Sequence, residues 1–156
     1  MPDTPQKASL FRHPYLTASI VALGIVLRCL ATPGELWLDE LWSQLHVASV
    51  HNPLEILTDL KHDNNHLLNS LWMWIIGPDS AYFVYRVPSL MFSVLLLLVL
   101  WREACSRRDQ GIYTTWLILV ALSYPLTLFG TEARGYGLAL LMSVVGYLSL
   151  LRLQNN

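Results

Sequence analysis

Two adjacent acids, Asp39 and Glu40, sit in Leu36-Trp37-Leu38-Asp39-Glu40-Leu41-Trp42-Ser43, just past the first membrane-length apolar run. Carboxylates are costly beside hydrocarbon, so an acidic pair kept among tryptophans points to chemistry at a membrane surface. Neighbours on a helix point about 100° apart, so the two acids need not share one proton. One could face a cavity while the other contacts a neighbouring group. The plain alternative is a pair of solvated acids opening a surface helix.

Two further groups carry chemistry. In His62-Asp63-Asn64-Asn65-His66 the histidines stand at i and i+4, on one helical face. With a carboxylate they suit a divalent metal, and Asp39, His62 and His66 form the candidate metal set. The same stretch also reads as a polar helix start, with asparagine caps before Leu67. In Glu132-Ala133-Arg134-Gly135-Tyr136 an acid, a base and a phenol stand together. They suit an anionic head group, or an ion pair that closes a tight turn. Arg86 heads a later apolar run and either snorkels to the interface or binds phosphate.

The elements that must position these residues are membrane helices. Of 156 residues, 54% are hydrophobic and 13% charged, against about 25% charged in a soluble domain. The pattern predicts an all-α polytopic bundle, one membrane domain over 1–156. Four spans are expected, at about 15–32, 81–101, 112–130 and 135–152. The first run also has the outline of a signal peptide, but its length and Arg28 favour a retained helix. Pro125 is expected to kink the third span. Residues 33–80 form an outer loop, opened by Pro33-Gly34. Within it, Trp37, Leu38, Leu41, Trp42 and Leu45 recur at helical spacing. They predict a helix along the membrane surface, with Asp39, Ser43 and His46 on its wetter side. Short helices are expected at Leu54–Leu60 and Leu67–Ile76, the latter too short to span.

Six of the ten Lys and Arg lie in the tail, in the loop with Arg102, Arg107 and Arg108, and at Arg152. That bias puts both termini in the cytoplasm and the acidic 33–80 loop outside. Cys29 and Cys105 then fall on opposite faces and are not expected to pair. No basic stripe suits nucleic acid.

The order of these features is itself informative. A first span leads to an outer loop opening on Asp39-Glu40. His66-Leu67-Leu68 follows about 26 residues later, then Gly77, Arg86-Val87-Pro88-Ser89 and Glu132-Ala133-Arg134-Gly135-Tyr136. From about Tyr15 to Leu153 the chain resembles the amino-terminal third of GT-C class membrane glycosyltransferases. The likeness is to the protein-mannosyltransferase-like and aminoarabinose-transferase-like branch. Where many members carry His-Pro-Pro-Leu, this chain has Asn65-His66-Leu67-Leu68. The resemblance implies sugar transfer from a polyprenyl-phosphate carrier to an acceptor, at the outer face of a bacterial inner membrane. It implies that Asp39, beside Glu40, acts as general base or helps hold a metal. Arg134 and Arg86 would cradle the lipid phosphate, with His66, Glu132 and Tyr136 lining the site. It also implies a longer enzyme, completed by a missing C-terminal portion or a second chain, with this chain inactive by itself. A small non-catalytic four-span scaffold and a metal or proton transport element are the other readings open to the sequence.

Overall fold

The computed structural model describes residues 14–61, 65–107 and 110–154. Among them every regular element is a helix. Four elements make a bundle: α1 (Pro14–Ala31), α6 (Val87–Ser106), α7 (Gln110–Leu122) and α9 (Tyr136–Gln154). Between them in the chain lie α2 (Leu38–Ala48), α3 (Glu55–Thr58), α4 (Leu67–Ile76), α5 (Tyr82–Tyr85) and α8 (Tyr124–Phe129). Helices α2 to α5 pack on one another at one end of the bundle, and α4 and α5 also touch α6.

Helix α6 is the centre of the bundle and packs on α1, α7 and α9. Its leucine run divides by face: Leu96, Leu97 and Leu100 are buried, while Leu95 and Leu98 are exposed. The buried leucines meet Val21, Leu117, Ala121 and Leu141 from the other three helices. Helix α9 is different, because only 17% of its apolar window is buried. Met142, Val145, Tyr147, Leu150 and Leu153 all point outward. An apolar helix that turns its side chains away from the core suits a lipid surroundings rather than water.

Helices α6, with 20 residues, and α9, with 19, are long and apolar enough to cross a membrane, while α1 and α7 are shorter. So two of the four expected spans are present at that length. The limits move as well. The second expected span begins at Val87 rather than at 81, because the chain turns through α5 and breaks at Arg86. The third is interrupted rather than kinked. Helix α7 stops at Leu122, and Pro125 lies in the first turn of α8, where its missing N–H costs nothing.

Arg28 braces that interruption. It is wholly buried near the end of α1. Its Nη1 and Nη2 donate to the Ala121 and Val120 carbonyls at 3.3 and 3.0 Å, while Nε donates to Ser93 Oγ at 2.6 Å. Those carbonyls end α7, where the helix supplies no partner of its own. Arg28 therefore faces the protein interior and joins α1, α6 and α7.

The bundle's two ends differ in charge. At one end Thr17 contacts Cys105 Sγ at 3.8 Å, and the buried Glu103 pairs with both Arg107 and Arg152. Arg108 lies outside the described residues. Cys29 stands at the opposite end of α1, and both cysteines are free and exposed. At that other end stand Asp39, Glu40, Arg86, Glu132 and Arg134.

Candidate functional site

The site begins at the start of α2. Gly34, at φ +125°, reverses the chain after α1 in a left-handed conformation that favours glycine. Glu40 then occupies the third helical position, and its Oε2 accepts from the Trp37 backbone N–H at 2.8 Å. This is the reciprocal half of a capping box, which makes glutamate the natural residue there. The same carboxylate accepts from Arg86 Nε at 2.9 Å and Nη2 at 2.6 Å, and from the Ala133 backbone N–H. Arg86 spends its other bonds on the Thr32 and Glu35 carbonyls, each at 2.7 Å. Glu40 is fully buried and Arg86 nearly so. The pair ties α2, the end of α1, the start of α6 and the 132–134 turn into one knot.

That knot corrects two expectations. Glu40 and Arg86 serve each other and the backbone, so neither presents a free charge to a substrate. Ser43 is not on the wet side of α2 but is buried with Glu40 and Val47. The helix turns Leu38, Leu41, Trp42 and Leu45 outward instead. The reason is that Glu40 finds an arginine and two backbone donors inside, which outweigh the gain from burying leucines there.

Asp39 behaves otherwise. Its side chain is 51% exposed and accepts from Arg134 Nη1 at 3.0 Å. Arg134 also lies 3.7 Å from Glu132, and its guanidinium stands 4.7 Å above the Tyr136 ring. Ser89 Oγ donates to the Arg134 carbonyl at 2.6 Å and so fixes the turn to α6. Glu132 is held above the ordinary carboxylate range, mainly by burial, with Arg134 opposing the shift.

His66 completes the group. Its ring meets the Tyr136 ring edge-on, with centroids 5.2 Å apart. Gly135 makes that approach possible, because a Cβ there would lie 2.9 Å from His66 Nδ1. Burial first, and the Arg134 charge second, hold the His66 pKa below its usual value. The imidazole is thus kept neutral near pH 7.

Tyr136 links these polar residues to an apolar groove. Leu126, Phe129, Tyr136, Ala139, Leu140 and Ser143 line a hollow of about 400 Å³ between α8 and α9. Phe129 packs edge-on against Tyr136 at 5.2 Å. The groove therefore runs up to the ring on which Arg134 rests.

Of the expected metal set, Asp39 and His66 are described. His62 and Asp63 lie outside the described residues, and no three His, Cys, Asp or Glu gather among those described. Arg134 pairs with Asp39 and bears on His66, and a guanidinium there repels a cation. Asp39 and His66, as they stand beside Arg134, do not fit a metal by themselves, and no step below uses one.

Sequence reading brought seven residues to this end: Asp39, Glu40, His66, Arg86, Glu132, Arg134 and Tyr136. It missed Asn69, a buried amide inside α4. The signal was an asparagine, next to Ser70, in a ten-residue stretch whose other residues are apolar, where an unpaired polar group is costly. Comparison with protein-family models, curated proteins and solved structures found no match.

Proposed function

We propose that this chain forms the donor site of a membrane glycosyltransferase that moves a sugar from a polyprenyl phosphate to an acceptor hydroxyl. In this reading α1, α6, α7 with α8, and α9 span a bacterial inner membrane, with both termini in the cytoplasm and α2 to α5 outside. One observation carries it. Tyr136 lines the apolar groove between α8 and α9 and also lies under Arg134, which faces Asp39. A polyprenyl tail fits the groove, and its phosphate reaches the guanidinium at the groove's end.

The chemistry follows from exposure and charge. Asp39 and Arg134 form a pair whose acid is half open to solvent, so an incoming phosphate can take Asp39's place on Arg134. The released carboxylate then accepts the proton of the acceptor hydroxyl. The acceptor oxygen bonds to the anomeric carbon as the carbon–oxygen bond to phosphate breaks. The phosphate leaves with the bonding electrons and stays on Arg134. Positive charge on the reacting carbon is stabilised by the nearby carboxylate.

The test uses the chain in nanodiscs that hold polyprenyl phosphate. Arg134→Gln should weaken binding of that lipid at least tenfold, about 1.4 kcal/mol. Asp39→Asn should keep binding and abolish sugar transfer wherever the wild-type protein shows it. Equal lipid binding by Arg134→Gln and wild type would refute the assignment.

A further inference from the structure

Helix α4 turns one face toward the 133–136 turn. Met73 packs with Val47, Tyr85 and Ala133 on that face. His66, at the start of α4, meets Gly135 and Tyr136. Asn69 lies between them, three residues after His66 and four before Met73, so helical spacing turns it toward the same turn.

Asn69 is 4% exposed. Its Nδ2, and Nε2 of His66, are buried without a hydrogen-bond partner among the described residues. The nearby polar groups are committed elsewhere. Asn65 Nδ2 donates to the Ile56 and Leu60 carbonyls, and Ser70 Oγ donates to Asn65 Oδ1. A buried amide kept without a partner is destabilising, so a chain that keeps one has a use for it.

We propose that Asn69 and His66 form a two-point subsite for neighbouring hydroxyls of a carbohydrate ring. The inference rests on the sugar-transfer reading and names a residue that reading lacks. Both groups are uncharged, so they do not compete with Arg134 for phosphate. The Asn69 amide donates to one hydroxyl oxygen, while the imidazole nitrogen bonds the next hydroxyl. One donor plus one adaptable nitrogen matches a diol and does not match an anion. His66 meets the Tyr136 ring on which Arg134 rests, so a sugar joined to a phosphate on Arg134 would extend toward it.

The full chain in nanodiscs is examined by saturation-transfer NMR with the methyl glycosides of mannose, glucose and arabinose. Thermal unfolding and polyprenyl-phosphate binding are followed in parallel. Wild type should give signal with at least one glycoside. Asn69→Leu should lose that signal at least tenfold and keep phosphate-lipid binding. Its Tm should rise by about 2–4 °C, because leucine removes the unpaired amide. A lowered Tm would give Asn69 an internal structural role and overturn the proposal. An undiminished glycoside signal in Asn69→Leu, or none in wild type while phosphate lipid still binds, would overturn it too. Glycoside binding without any phosphate-lipid binding supports the subsite and overturns the donor reading instead.

Discussion

Glu40 and Asp39 are chain neighbours with opposite duties. Glu40 is buried and accepts four hydrogen bonds, two of them from Arg86, whereas Asp39 is half exposed and has an exchangeable partner. Glu40→Gln should therefore cost about 3 kcal/mol, since it leaves Arg86 buried and unpaired. Asp39→Asn should cost less than about 1 kcal/mol. Thermal melts in detergent compare the two, and equal losses would contradict this division. His66 supplies a pH test. Because its folded pKa is lowered, the unfolded chain binds the proton more tightly. Its contribution to stability is thus full above about pH 6.5 and declines as the pH falls below that. His66→Gln should flatten the melting temperature between about pH 6.5 and 5, and an unaltered acid limb would remove His66 as its source.

Among the elements, the junction of α7 and α8 depends on Arg28 from a different helix. Each carbonyl left unpaired by its removal costs about 1–3 kcal/mol. Arg28→Leu should lower the melting temperature and speed amide hydrogen exchange around 119–127, while exchange in α9 stays as it was. Uniform acceleration along the chain would mean that Arg28 supports the whole fold rather than this break. The other element with an unusual face is α2. It puts Glu40 and Ser43 inward and Leu38, Leu41 and Leu45 outward, the reverse of a helix packed on a water-soluble core. Trp37 and Trp42 on that outer side suit the membrane interface.

For the whole molecule, the charged ends set up a topology experiment. The end with Arg102, Arg107 and Arg152 is the cytoplasmic one if basic residues orient the bundle. In a Cys29→Ser background, a membrane-impermeant maleimide should label Asp79→Cys in intact cells. Native Cys105 should react only after the membrane is opened. The reverse pattern would invert the chain and move the Asp39–Arg134 site to the wrong side for an external donor.

Much of the helical layout was open to direct reading. The apolar runs located α1, α4 and α9 to within a residue or two, because a long apolar segment has few other ways to satisfy its backbone. The acids, the arginines and the Glu132–Tyr136 turn stood out for the same reason: ionisable groups are rare in such a chain. What remained hidden were partnerships across the chain. Nothing local says that Glu40 rather than Asp39 takes Arg86, a residue 46 positions away, since neighbouring acids differ only in which way the helix turns them. Nothing local shows that Arg28 caps α7, that α7 and α8 separate, or that Asn69 ends up buried. Composition and periodicity decided that the chain is helical and apolar. Packing decided which polar groups met, because a hydrogen bond depends on distance and angle that only the folded backbone supplies.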